Sequence, residues 1–185
     1  MSATELLQIP EVRERLSPVS TLLNIPEVRE CFSPTPVEVY HLLPERNARG
    51  KRTELIRGII IEKMSKSPRH RWLARKLNAL VTQAIGDGLL VWYDEPLTFI
   101  DSEPEPDIAI VTGNEDQYLD EHPHTALLVI EVAVTSLVLD RVKSEIYAEA
   151  GIPEYWIVDT AKKRIEVYTV ITLILNAAIK YKEGK

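Results

Sequence analysis

Cysteine is almost absent from this sequence, which has one such residue, Cys31, in 185. A single thiol cannot form an internal disulfide, so the fold must rest on a packed core, and the composition suits a reducing compartment. Long apolar runs are also missing: the longest, residues 167–179, is shorter than the ~20 residues that a membrane helix needs. Because the sequence also lacks a secretory signal pattern, we expect a cytoplasmic protein without a membrane-spanning segment.

Basic residues are missing from a long central stretch. Residues 77–140 contain thirteen acids and no Lys or Arg, whereas residues 45–76 contain eleven Lys or Arg and three acids. This segregation predicts a basic surface that could contact phosphates beside an acidic site that could hold a metal ion. The alternative is that the two segments pair in the fold and neutralise each other. The sequence alone leaves both interpretations open.

The start of the chain contains an internal repeat. The segment LLQIPEVRERLSP from Leu6 recurs as LLNIPEVRECFSP from Leu22. Two copies are too few to build a solenoid. We therefore predict a duplicated leader, residues 1–36, packed loosely on a globular domain, residues 37–185. An arm that binds a partner protein is the competing interpretation of the leader.

Strands and helices alternate in the predicted globular domain. Strands are predicted within RTELIRGIIIEKM, LLVWYDEPLTFI (one strand turning into another near Pro96), EPDIAIVT, ALLVIEVAV, YWIVD and RIEVYTV, and helices within SPRHRWLARKLNALVTQAIGDG and TSLVLDRVKSEIYAEAG. The first of these helices has Ser67 as its N-cap and Pro68 at its first position. Its apolar stripe consists of Leu73, Leu77, Leu80, Val81 and Ala84. The order of elements predicts an α/β domain around a mixed sheet.

One strand carries an acid where an apolar residue is expected. In LLVIEVAV, residues 127–134, Glu131 is the only polar side chain, and an uncompensated carboxylate in an apolar interior is strongly unfavourable. The segment SEPEPDIAIV supplies Glu103, Glu105 and Asp107 at alternate positions, which point to one face of an extended chain. If the two strands are neighbours, Asp107 and Glu131 lie within reach of one hard cation, Mg²⁺ or Mn²⁺. Glu103 and Glu105 are interpreted instead as parts of a solvated loop.

A lysine stands on the helix that follows this strand. Lys143 comes three residues after Asp140. A lysine near two metal-bound carboxylates can orient water or stabilise charge on a phosphoryl oxygen. On spacing alone, however, an exposed helix lysine is the favoured interpretation of Lys143.

These segments together resemble a known family. EPDIAIV, LLVIEVAVTSLVLDRVKSEIYAEAGIPEYWIVD and RTELIRGIIIEKMSKSPRHRWLARKL are similar to a family of restriction-endonuclease-like nucleases that is common in cyanobacteria and was long a domain of unknown function. The resemblance covers about residues 52–168. It implies the PD-(D/E)XK nuclease superfamily, with an αβββαβ core, a mixed central sheet and extra N-terminal strands, and Mg²⁺ or Mn²⁺ as the cofactor.

The resemblance implies roles for individual residues. Asp107 matches the aspartate of the PD pair and Glu131 the second acid, so both would be metal ligands. The motif expects its lysine at Ala133, which is a departure, and Lys143 on the next helix is the natural substitute. Glu54, in TELIRG, falls at the opening acidic motif of the family and is the fourth catalytic candidate.

A function follows from these roles. The resemblance implies a metal-dependent nuclease that hydrolyses phosphodiester bonds in nucleic acid, with DNA favoured. The residues assigned to nucleic-acid contacts are Arg69, His70, Arg71 and Arg75. His70 also matches a family position and could assist proton transfer, whereas a helix-surface histidine is its alternative interpretation. A homodimer is compatible with cutting both strands, although nothing in the sequence requires it.

Two other functional interpretations stay open. A catalytically silent protein that keeps the nuclease fold, and binds nucleic acid or regulates, is compatible with Ala133 at the lysine position. An interaction scaffold that uses the duplicated leader is the third interpretation.

Overall fold

The computed structural model describes residues 2–16, 33–44 and 50–169, and the second copy of the repeat lies outside these ranges except for Ser33 and Pro34. The helices within them are α1 (Ala3–Leu6), α2 (Pro10–Arg13), α3 (Val37–Tyr40), α4 (Pro68–Ala84) and α5 (Leu137–Glu149), with a 3-10 helix at Glu115–Tyr118. The strands are β1 (Thr53–Ile56), β2 (Ile59–Glu62), β3 (Leu89–Tyr93), β4 (Ile108–Thr112), β5 (Leu128–Ala133), β6 (Glu154–Asp159) and β7 (Arg164–Thr169). In these ranges no helix combines the length and the apolar character that crossing a bilayer requires.

The chain divides into two compact units. The first comprises residues 1–66 and 96–105, and the second comprises residues 67–95 and 106–185. The first contains the two-stranded sheet β1–β2, and the second contains the five-stranded sheet β3–β4–β5–β6–β7. The predicted boundary between residues 36 and 37 is a different division and stays a prediction.

The second unit has the predicted αβββαβ core. Its elements follow one another as α4, β3, β4, β5, α5 and β6, and β7 adds a further strand. Strands β5 and β6 are parallel and the other neighbours are antiparallel, so the sheet is mixed. Helix α5 connects the parallel pair and packs on both of its strands, where the rings of Tyr147 and Tyr155 lie 4.8 Å apart. The predicted fold class is confirmed.

Helix α4 begins where the capping signals predict. Ser67 is its N-cap, and the Ser67 hydroxyl accepts a hydrogen bond from the backbone amide of His70 at 3.2 Å. Pro68 occupies the first helical position, where its missing amide costs nothing. The predicted apolar stripe is only partly correct, because Leu80 is 61% exposed.

The strand predicted after Pro96 does not form. Asp94 adopts a left-handed conformation, with φ of 58°, directly after β3 ends. The amide of Leu97 then donates to the carbonyl of Pro104 at 2.9 Å, so this segment bonds within its own loop. Local turn geometry therefore overrides the strand propensity of LTFI.

The first copy of the repeat completes the core of the first unit. Its leucines and valine are buried beside the hairpin β1–β2, namely Leu6, Leu7, Val12 and Leu16. Leu16 forms a β-bridge with Ile61, and the amide of Glu62 donates to the carbonyl of Arg15 at 2.7 Å. The prediction of loose packing is wrong for this copy, because the short hairpin needs its apolar side chains to cover the core.

Glu103 and Glu105 are buried, so their interpretation as parts of a solvated loop is wrong. Each is 6% exposed. Nε2 of His41 lies 2.5 Å from Oε2 of Glu103. Glu105 pairs with Arg52, and with Nζ of Lys63 at 2.9 Å. Basic and acidic residues pair here, as the neutralisation alternative expects, and the pairing offsets the cost of burying the acids.

The hairpin turn of the first unit requires glycine. Arg57 and Gly58 both have positive φ, 52° and 71°, as a type I′ turn demands. A Cβ atom at Gly58 would lie 2.4 Å from Cβ of Pro34. We expect Gly58→Ala to lower the free energy of unfolding by roughly 2–4 kcal/mol, since it adds a clash to left-handed strain.

Gly88→Ala is the matched control for this prediction. Gly88 has φ of 78°, but a Cβ there meets no atom within 4 Å. It therefore carries the conformational cost alone, roughly 1 kcal/mol. Urea unfolding of both variants measures the difference, and equal losses would show that the contact with Pro34 has no energetic role.

Candidate active site

The two acids singled out in the sequence meet where β4 and β5 stop pairing. The last ladder pair is Ile108 with Ile130, so the next step places Asp107 opposite Glu131. Side chains replace the ladder there: the amide of Asp107 donates to Oε2 of Glu131 at 3.3 Å, and the amide of Val132 donates to Oδ2 of Asp107 at 2.8 Å. Asp107 is 2% exposed and Glu131 6%.

Lys143 is the cation that compensates Glu131. It lies on the inward face of α5, and its Nζ is 2.9 Å from Oε1 of Glu131. The side chain is 4% exposed, so the interpretation of Lys143 as an exposed helix lysine is wrong. Ala133, where the motif expects lysine, is buried at the end of β5 and carries no donor.

His70 reaches the same acids from the first turn of α4. Its Nε2 lies 3.1 Å from Oδ2 of Asp107, and its side chain is 12% exposed. The alternative of a surface histidine is therefore wrong. Nδ1 of His70 is buried and has no hydrogen-bond partner among the described residues. Its assignment to nucleic-acid contacts stays a prediction.

Of the other predicted residues, three are exposed and one is buried. Arg69, Arg71 and Arg75 are exposed on α4, as contact with phosphates requires, but the contact itself stays a prediction. Glu54 lies on β1 of the first unit, 1% exposed, with Oε1 3.7 Å from Nη2 of Arg15. It belongs to a different unit from Asp107, Glu131 and Lys143, and its catalytic role also stays a prediction.

Asp140 is a site residue that the sequence analysis passed over. It is 3% exposed, and its Oδ2 accepts a hydrogen bond from the Ser136 hydroxyl at 2.5 Å. Burial raises the pKa of Asp140 well above its ordinary value, and the charge of Glu131 raises it further, against the opposing effect of Lys143. The available signal was spacing, because Asp140 and Lys143, three residues apart, share one helix face.

The donor set fits a hard divalent cation. Mg²⁺ takes oxygen ligands, usually from one or two carboxylates together with water and substrate phosphate. Asp107 and Glu131 are a pair of this kind. The part of the chain that the structure describes contains no group of three or more Asp, Glu, His or Cys residues placed to hold an ion. The residues therefore fit a two-carboxylate site rather than a cage made entirely of protein ligands.

Comparison with known proteins assigns the family. Residues 37–172 match the Uma2 family, which is described as "Putative restriction endonuclease". This chain belongs to the Uma2 family. The match includes every candidate site residue, so the resemblance noted in the sequence is confirmed.

A solved structure supports the fold of this Uma2 protein. The chain is similar to a "putative nuclease belonging to DUF820" from Anabaena variabilis, with a TM-score of 0.65 and 18% identity over 74% of this chain and 80% of that one. At this identity the likeness shows a nuclease-like fold alone. Among curated proteins, none matches the chain.

The buried pair of Glu131 and Lys143 predicts strong energetic coupling. Removing one partner leaves the other charge buried without it, which costs roughly 3–5 kcal/mol. We expect Glu131→Gln and Lys143→Met each to destabilise the metal-free protein by about this amount. The double variant should lose clearly less than the sum of both. Chemical denaturation in the presence of a chelator measures the cycle.

The pair of Arg141 and Glu166 supplies the control cycle. Nη2 of Arg141 lies 2.5 Å from Oε1 of Glu166, but Arg141 is 43% exposed. Its coupling, measured with Arg141→Gln and Glu166→Gln, should be about 1 kcal/mol, at the upper end for exposed pairs because the contact is bidentate. A coupling between Glu131 and Lys143 no larger than this would contradict the compensating role of Lys143.

The raised pKa of Asp140 predicts a pH-dependent stability difference. The native protein holds the Asp140 proton to higher pH than the unfolded chain does, so the contribution of Asp140 to stability falls as pH rises above about 4. Asp140→Asn removes this fall. In chelator, we expect the variant to match the parent below about pH 4 and to be increasingly more stable towards neutral pH. A difference that is constant with pH would show that Asp140 does not titrate in this way.

Proposed function

We propose that this Uma2 protein is a metal-dependent nuclease that hydrolyses phosphodiester bonds in nucleic acid, and in the first instance DNA. The observation that carries the proposal is the buried contact between Lys143 and Glu131, 2.9 Å from Nζ to Oε1. The contact brings a cation from α5 to the acids although Ala133 stands where the motif expects lysine. The family match and the nuclease-like fold support the same conclusion.

Asp107 and Glu131 would hold Mg²⁺ or Mn²⁺. When bound, such an ion polarises a phosphoryl oxygen and lowers the pKa of water. The protein's part is to keep both carboxylates in place. The amide of Val132 and Nε2 of His70 do this for Asp107, and Lys143 does it for Glu131.

Lys143 has a role of its own in the reaction. Hydrolysis adds water across one P–O bond and yields a phosphomonoester and a hydroxyl group. Negative charge grows on the phosphoryl oxygens during the in-line attack, and a compact ammonium held nearby stabilises it. Burial strengthens this effect, because few water molecules screen the charge.

His70 has a supporting role. When Nε2 of the neutral ring donates to Asp107, Nδ1 is left as an acceptor. We therefore assign His70 to positioning Asp107 through Nε2, and assistance in proton transfer is its second proposed role.

A catalytically silent protein that binds nucleic acid or regulates is the second candidate function. The observation that favours it is Ala133, since the motif position itself offers neither charge nor donor. For either function we propose a cytoplasmic location, and for cleavage of both strands a homodimer.

A cleavage assay on plasmid and single-stranded DNA, with Mg²⁺, Mn²⁺ or chelator, tests the proposal. We expect cleavage only with metal. Lys143→Ala should lower the cleavage rate by about 10²–10³-fold, the usual loss when a group that stabilises transition-state charge is removed. Asp107→Asn should abolish the rise in Tm that saturating metal gives the parent, because only the native state holds the ion.

The control variant is Arg141→Ala, which removes a partly exposed cation from the same helix and should retain the parent rate. Parent-like cleavage by Lys143→Ala would remove Lys143 from the mechanism. A parent protein whose Tm rises with metal but which cleaves no DNA would favour the silent function.

A further inference from the structure

A pocket of about 460 Å³ opens in the second unit, beside the start of α4 and the hairpin β6–β7. Its lining combines apolar and cationic side chains, including Arg69, Trp72, Leu73, Lys163, Arg164 and Ile165. The volume lies within the range of roughly 300–1,000 Å³ that small-ligand sites occupy. Neither the family match nor the proposed mechanism assigns a role to this pocket.

The pocket lies at the same edge of the sheet as the candidate active site. Strands β5 and β6 are parallel, with Glu131 beside Ile157 and Ala133 beside Asp159, so both strands end at this edge. The hydroxyl of Thr160, which lines the pocket, donates to the carbonyl of Ala133 at 3.0 Å. The pocket is thus fixed to the strand that carries Glu131.

Helix α4 contributes consecutive residues to the candidate active site and to the pocket. His70 contacts Asp107, whereas Arg69 lines the pocket. Consecutive residues of a helix point about 100° apart, because a turn takes 3.6 residues. Trp72 and Leu73 follow Arg69 at three and four positions and therefore share its face.

The lining has the chemistry that recognises an unpaired nucleotide. Trp72 is 57% exposed although it lies in a concave surface. Arg69 and Lys163 contribute two positive charges to the lining, whereas Arg164 pairs with Asp159 and with Glu166. An aromatic face on which a base stacks, with cations for the adjoining phosphates, is the usual arrangement for binding single-stranded nucleic acid.

The turn between β6 and β7 fixes the backbone position of Lys163. Lys163 has φ of 52°, in the left-handed region that favours glycine or asparagine. Oδ1 of Asp159 accepts hydrogen bonds from the amides of Ala161 and Lys162, at 3.1 and 3.0 Å, and so holds the turn in this shape. The turn thereby holds Lys163 in the lining of the pocket.

We propose that the pocket binds an unpaired nucleotide that flanks the scissile phosphate, with its base on Trp72 and its phosphates on Arg69 and Lys163. The proposal rests on the proposed nuclease function and specifies its substrate class. A base inside a duplex is stacked on both sides and must leave the stack to enter a pocket. The substrate class is therefore nucleic acid that is single-stranded or locally unpaired.

Binding without metal tests the pocket separately from catalysis. Fluorescence anisotropy in chelator compares a labelled single-stranded oligonucleotide with a hairpin duplex of the same length. We expect Trp72→Ala to raise the Kd for the single strand by about five- to a hundred-fold, and Trp72→Phe to raise it less. Leu80→Ala, at an exposed position farther along α4, is the matched control and should bind as the parent does.

A second pair of variants tests Lys163. Lys163→Asn removes the charge and suits the left-handed backbone, so it should weaken binding while Tm is unchanged or higher. Lys162→Asn removes the neighbouring charge, which does not line the pocket, and should weaken binding less. Equal losses in the two variants would indicate non-specific attraction and overturn the role of Lys163 in the pocket.

The outcomes distinguish the proposal of a nucleotide pocket from the proposal of nuclease activity. Parent-like affinity for the single strand in Trp72→Ala overturns the pocket, even if the protein cleaves DNA. Weakened binding in Trp72→Ala and Lys163→Asn supports the pocket, even if the parent cleaves nothing and the nuclease proposal fails. A parent with no measurable affinity for single strands also overturns the pocket, and plasmid cleavage then decides the nuclease independently.

Discussion

A carboxylate in the middle of a buried strand has to be compensated, and this requirement organises the second unit. Glu131 lies in β5 between apolar neighbours, and the compensating charge cannot come from β5 itself, because Ala133 stands at the motif position. It comes from α5, the connection between the two parallel strands, which packs on β5 and carries Lys143 inward. Helix α5, which connects β5 to β6, therefore also supplies the positive charge that compensates Glu131.

Buried acids in both units need compensating positive charge, but the two units differ in how they provide it. In the first unit, Glu103 contacts His41, and the cations of Arg52 and Lys63 offset the charge of Glu105. Among the described residues of the second unit the buried carboxylates outnumber the buried cations, and the pKa of Asp140 is raised by its burial and then by the charge of Glu131. Unresolved repulsion of this kind is where a divalent cation contributes most, because it offsets several acids at once.

The secondary-structure elements were predictable from the sequence, whereas the burial of several side chains was not. Capping at Ser67 and the helix around Lys143 are local signals, and both agree with the structure. The burial of Glu105 and the exposure of Leu80 were predicted wrongly. Burial depends on which distant segments pack together, and a periodic pattern only says that some face is covered.

The sequence by itself determined the fold class, the family and the pairing of Asp107 with Glu131, because strand alternation, capping residues and motif spacing are written along the chain. Only the tertiary structure decided that Lys143 is buried against Glu131 and not exposed on its helix. It also decided that His70 points inward to Asp107, and that Trp72 and Lys163 line the same pocket. These contacts join segments far apart in sequence. Their geometry depends on how α4 and α5 pack on the sheet, which no local pattern encodes.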